Sequence, residues 1–153
     1  MALELSTVQA TVKYCVETTA GTRPTTGYTE LPDVQTAPEV ALTPDVLDAS
    51  NITDQYKRYI PGQQDPGGEK TFTLNHTDAV ITAWETMKTA SDTGYASGKA
   101  TWFEYVFNGG ANSFYWSGRP QELGTNEMGI NAVHTIPGTV ICDGVGGWAT
   151  AST

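Results

Sequence analysis

The residues that could do chemistry are few in this chain and lie far apart. His76 and His134 are the only histidines, and Cys15 and Cys142 the only cysteines. No HExxH, CxxC, GxxxxGK[ST] or GxSxG string occurs, so zinc hydrolysis, dithiol exchange, nucleotide binding and serine-hydrolase chemistry all lack their local signature. Asp45 and Asp48 are close enough in sequence for an acid/base pair. Their position before a polar stretch suits turn or helix capping better. The spacing from Asp48 onward lacks the EF-hand glycine and terminal glutamate, so calcium is not indicated. The two cysteines read as free thiols, with a bond between an early and a late strand left open. Two N-x-S/T strings, Asn51-Ile52-Thr53 and Asn75-His76-Thr77, receive no role. The reading is of a non-enzyme with no catalytic residue, cofactor or metal, whose working parts are surfaces.

Composition points the same way. A chain of 153 residues suits one domain, residues 1–153, with enough core to need neither metal nor disulfide. Sixteen glycines and eight prolines, with many Thr, Ser and Asn, favour short strands and turns. The opening MALELSTVQA carries no basic region or long apolar run, and no stretch approaches the ~18 apolar residues of a membrane span. The expectation is therefore a product of the cytoplasm with no membrane partner. The formal charge of −9 favours solubility and argues against specific nucleic-acid binding, which relies on Lys and Arg.

The elements that must position any functional surface follow from periodicity. Thr7–Glu17 alternates, with Val8, Ala10, Val12, Tyr14 and Val16 on one face, and predicts a strand. Thr18–Asp33 is a connection. Val34–Leu42 is a weaker strand holding Pro38, which suits an edge. Glu69–His76 alternates with Phe72 and Leu74 inward. Thr77 or Asp78 then caps a helix over 78–90, with Val80, Ile81, Trp84 and Met87 on its buried face. Lys99–Phe107 and Ser113–Gly118 form a hairpin around Asn108-Gly109-Gly110. Seven aromatics between Trp102 and Trp116 predict cross-strand pairing in a β core. Glu127–Val133 and Gly138–Cys142 are further strands, separated by a turn at Ile136-Pro137-Gly138. Residues 144–153 read as a mobile tail in which Trp148 is an anchor. The fold class is mainly β: a small sandwich or barrel, one flanking helix and a long inter-strand loop.

That loop, residues 48–68, is polar and aperiodic, with turn clusters at Ile60-Pro61-Gly62 and Asp65-Pro66-Gly67-Gly68. Long loops without structure of their own are usually functional or disordered. Tyr56, Tyr59 and Ile60 would gain nothing in a free loop, so docking on another subunit is expected. Asp48 and Asn51 belong to it; Tyr56, Tyr59, Ile60 and Pro61 serve as apolar anchors, Lys57, Arg58 and Asp65 as polar partners, and Gly62 turns the chain.

The strand near Val40–Leu42, the Tyr59–Gly62 segment, the Asp65–Gly68 turn, the Phe72/Leu74 strand and the helix at Asp78–Ala90 together resemble the major tail tube proteins of long-tailed bacteriophages. The resemblance covers about a third of the chain and is an analogy at family level. It implies self-assembly into stacked rings, expected to be hexameric, through which DNA passes without specific binding. It also implies the tape measure, terminator and baseplate proteins as partners, and a place in the virion tail after assembly in the host bacterial cytoplasm. A carbohydrate-binding sandwich, stacking sugars on Trp102 and Trp116, is the main alternative. A minor tail or head–tail joining protein of the same fold is a third reading.

Overall fold

The computed structural model describes residues 4–153; residues 1–3, the start of the opening stretch and of the 1–153 domain, lie outside it. Among the described residues the fold is mainly β, a curled antiparallel half-barrel of seven strands with one helix and a separate two-stranded sheet. The main sheet contains β1 (Thr11–Val16), β2 (Thr29–Glu30), β3 (Val34–Thr36), β6 (Glu69–Asn75), β7 (Thr101–Val106), β8 (Asn112–Pro120) and β9 (Thr135–Thr150). Its spatial order is β2-β1-β7-β8-β9-β6-β3. The small sheet pairs β4 (Thr43–Asp48) with β5 (Tyr59–Asp65).

Aromatic residues build the core. Phe72 is fully buried. It lies 6.1 Å from Trp116, 5.9 Å from Phe103, 6.5 Å from Tyr105 and 6.3 Å from Trp84, ring centre to ring centre. Val12, Tyr14, Leu74, Val80, Met87 and Val140 close around them. Helix α1 (Asp78–Ala96) covers this face, and the Thr77 side chain accepts from Val80 N–H at its start. Its buried residues Val80, Trp84, Met87, Ser91 and Gly94 recur every three or four positions, the spacing of one helical face. Ile81 is only half-buried.

The helix continues past the predicted stop at Ala90. Ser91 and Gly94 lie on its buried face, and Lys88 holds Asp92 at 2.9 Å. A β-carbon on Gly94 would come within 2.7 Å of Val16 Cγ1, so this glycine lets helix and sheet approach rather than ending the helix. The chain turns instead at Ser97 and Gly98, the latter at φ +72°.

Other expectations also need correction. Val8 is 68% exposed. A turn closes from Ala10 N–H to the Thr7 carbonyl, with Gln9 at φ 61°, so β1 begins only at Thr11. In place of one strand over Val34–Leu42, β3 stops at Thr36 and β4 starts at Thr43. No turn separates Ile136 from Gly138; both lie inside β9, paired with Leu74 and Phe72. Pro137 is tolerated there because its carbonyl points away from β6 and accepts from Gly124 N–H, so the missing donor breaks no bond to β6. Residues 144–150 are not a tail. They continue β9 and pair with β8 from Ser117 back to Asn112.

The opposite face of the sheet is covered where the polar residues are. Glu104 is fully buried and accepts from Ser152 N–H at 2.9 Å and Ser152 Oγ–H at 2.7 Å. Arg23 lies 3.9 Å above the Tyr115 ring. Glu17 accepts from Trp102 Nε1 at 2.8 Å, Gly21 N at 2.9 Å and Ala100 N at 3.2 Å. Burial opposes ionisation of Glu17, yet the donors Trp102, Gly21 and Ala100 together hold its pKa below the usual carboxylate value.

Candidate assembly surface

The predicted long loop is a β-hairpin. Thr43 pairs with Asp65, Pro44 with Gln64, Val46 with Pro61, Leu47 with Ile60 and Asp48 with Tyr59, with a bulge between Pro44 and Val46. Only residues 49–58 form its tip. Sequence reading missed the ribbon because bulge, Pro44, Pro61 and Gly62 erase the period-two pattern. Pro61 is allowed because both strands of a two-stranded ribbon are edges.

The tip is ordered by its own polar groups. Ala49 N–H donates to the Arg58 carbonyl at 2.9 Å, and Ser50 N–H to Asp48 at 2.9 Å. Bonds from Ser50 lower the Asp48 pKa. Asp54 accepts from Asn51 N–H at 2.8 Å and from Arg58 Nε at 3.0 Å. Lys57 and Tyr56 are exposed.

The apolar residues are where this ribbon departs from an ordinary surface hairpin. Successive pairs point to opposite faces. Leu47 and Ile60 therefore share one face, while Val46, Pro61 and Tyr59 share the other. Val46 is 67% exposed, Leu47 49%, Tyr59 57% and Ile60 51%. Ile52 and Tyr56 at the tip are fully and mostly exposed. Neither face rests on the body of the protein. An isolated two-stranded ribbon is marginal in water.

A second exposed apolar segment lies between β8 and β9. Glu127–Val133, expected as a strand, pairs with nothing and is exposed; Asn131 stands at φ 58°. Met128, Ile130 and Val133 are 81%, 93% and 77% exposed. The segment is pinned at its ends. His76 N–H donates to the His134 carbonyl at 3.1 Å, and the two Nδ1 atoms sit 2.8 Å apart, so one ring donates and the other accepts. Asn126 Nδ2 donates to Thr135 Oγ1 at 2.8 Å. Nothing in the sequence spacing, 58 residues, signalled that these histidines meet.

The remaining chemistry stays dispersed. Among the described residues no group of three or more His, Cys, Asp or Glu could hold a metal, and no helix is long and apolar enough to cross a membrane. Cys15 and Cys142 are free thiols. Trp116 is fully buried and the Trp102 indole is bonded to Glu17, so the pair cannot form a sugar-stacking platform. Trp148 packs on its own subunit, 5.3 Å from Phe114 and 5.8 Å from Phe107.

No protein-family model matches the sequence. No curated protein matches it either. Solved structures do share the fold. One is a chain of the extracellular contractile injection system PVC, in its extended sheath–tube complex. It has a TM-score of 0.62 and 9% identity, over 97% of this chain and 93% of that one. Another is a chain of the anti-feeding prophage (AFP) baseplate, determined with six-fold symmetrisation. It has a TM-score of 0.60 and 7% identity, over 99% and 98% of the two chains. The similarity extends over nearly the whole chain, beyond the third in which the sequence resemblance lies.

Proposed function

We propose that this protein is a structural subunit of a phage-type tail tube: copies associate into rings, and rings stack into a hollow conduit. The observation that carries this reading is the hairpin of β4 and β5, apolar on both faces and seated on neither. A monomer gains nothing from Val46, Leu47, Tyr59 and Ile60 in water; a subunit that inserts the ribbon between neighbours buries both faces at once. The likeness to chains of a sheath–tube complex and a baseplate supports a role in a tail-like assembly. A six-fold ring, the passage of DNA, and the tape measure, terminator and baseplate proteins as partners are the finer parts of the proposal. So is the virion tail as location.

The acidic composition fits a conduit. DNA carries about one charge per ~1.7 Å, so a basic lining repeated in every layer would hold it along its length. An acidic or neutral lining leaves it hydrated and mobile.

Sedimentation velocity tests the hairpin's role. The wild-type chain should form large particles, whereas Leu47→Asp/Ile60→Asp should remain small with an unchanged far-ultraviolet circular dichroism spectrum. Large particles from that variant would remove the hairpin from the assembly.

A further inference from the structure

The hairpin and the segment between β8 and β9 lie at opposite ends of the same strand. The hairpin leads into β6 at Glu69, which pairs with Ile141; the other end of β6, Asn75, pairs with Thr135, directly after the pinned segment. Strand β6 thus runs from the base of one exposed apolar element to the base of the other. Two unlike apolar elements at opposite ends suit head-to-tail contacts, which close into a ring when the rotation closes and otherwise continue from copy to copy, as between stacked layers.

We infer that Glu127–Val133 is the receptor for the hairpin tip of a second copy, an inference that rests on the stacked-ring reading above. Three observations select this occupant. The first is shape. Met128, Ala132 and Val133 line an open groove of about 340 Å³ with His76 and His134 in its wall, and the tip presents two protruding apolar side chains, Ile52 and Tyr56. The second is charge. The tip, residues 49–58, carries a net +1 on a chain of net charge −9. Arg58 is paired with Asp54 at 3.0 Å, which leaves the exposed Lys57 as the tip's free cation among the described residues. Among the described residues the groove lining has Glu127 and no lysine or arginine; Glu122, earlier in the same segment, is paired with Lys88 at 3.2 Å. Asp33, whose carbonyl accepts from Asn75 N–H and whose carboxylate accepts from Thr77 Oγ1 at 3.0 Å, adds an exposed carboxylate on the His76 side. The third is reach. From Thr43 to Asn51 an extended ribbon spans about 26 Å, more than the ~20 Å covered by β6, so the tip is long enough to meet the far end of a stacked copy.

The histidine contact has a positioning role here. The Nδ1 bond and the His76 N–H bond fix where the segment leaves the body, so the groove is formed before a partner arrives. A preformed groove loses less ordering entropy on binding than a free loop would.

Two variants test the inference, each crippled at one end only: Ile52→Asp/Tyr56→Asp at the tip and Met128→Asp/Val133→Asp at the groove. All four positions are exposed, so both proteins should keep the wild-type circular dichroism spectrum; the alanine versions stand in if one does not. Each variant alone should fail to form the long particles of the wild type. Mixed in equal amounts, they retain one intact tip and one intact groove between them. The mixture should give paired units, twice the mass of the separate species, that do not grow. Long tubes from the groove variant alone would overturn the receptor while leaving the tube reading in place, as would two folded variants that never pair. Failure of the wild type itself to associate would overturn both.

Discussion

Trp84 and Gly138 make a quantitative test of the core. Trp84 is fully buried in the helix face, with its Nε1 donating to the Gln121 carbonyl at 2.7 Å. Gly138 lies in β9 directly beneath the indole: a β-carbon there would fall 2.6, 2.7 and 3.0 Å from three of its ring atoms. These atoms belong to a rigid ring held by its hydrogen bond, so they cannot give way cheaply. Gly138→Ala should therefore cost about 1–3 kcal/mol by overpacking. Trp84→Ala removes the ring, opens a cavity and leaves the Gln121 carbonyl unpaired, for about 3–5 kcal/mol. In the double variant the clash has no partner, and the added methyl group occupies part of the cavity. The two costs should thus fall short of additivity by about 1–2 kcal/mol, within the range for residues in contact. Urea melts followed by circular dichroism, at protein concentrations too low for assembly, measure all three. Concentration independence must be checked, because association stabilises the folded chain. Additivity to within ~0.5 kcal/mol would refute the close packing of Gly138 under Trp84.

Three further outcomes follow. Glu104→Gln should remove an acceptor from the Ser152 bonds and cost about 1–3 kcal/mol, with faster hydrogen exchange at Ser152 and its neighbours; unchanged exchange would show that Glu104 does not hold this segment. The folded pKa of Glu17 lies below its unfolded value, so its contribution is present above ~4.3, the unfolded glutamate value, and is lost as pH falls through the lower folded pKa. Melting temperatures measured between pH 3 and 6 should accordingly fall less steeply in Glu17→Gln than in wild type, and parallel curves would contradict this. Finally, the surface potential of the tube lumen, computed from an assembled structure, should be negative or neutral; a continuous basic lumen would overturn the account of DNA transit.

Much of the fold was legible because the relevant patterns are local. The alternation of Phe72 and Leu74, the Val80/Trp84/Met87 spacing and the Asn-Gly turn before the aromatic return strand each follow from a few neighbouring residues. Long β9 was not legible. Its Pro137 and run of glycines read as turn and tail, and they are tolerated only because of non-local partners: Trp84 over Gly138, the 121–124 segment beside Pro137, and β8 alongside Ser117 to Asn112. The exposed apolar surface of the hairpin, on which the proposal rests, was half legible. Tyr56, Tyr59 and Ile60 were identified by being apolar in a polar stretch. Val46 and Leu47 were passed over, because their place beside Pro61 and Ile60 on the exposed ribbon appears only once the bulged register pairs them. The Glu127–Val133 segment misled for the opposite reason. Its apolar content suggested a buried strand, whereas the histidine contact and the left-handed Asn131 hold it outward.

Electron microscopy of the purified chain alone tests the central claim most directly. Concentrated protein should yield tubes of uniform diameter with a stain-filled lumen and a regular axial repeat, each layer a closed ring, and the hairpin of one layer reaching the next. Folded particles that stay monomeric at every concentration, with the hairpin free in solvent, would contradict the account.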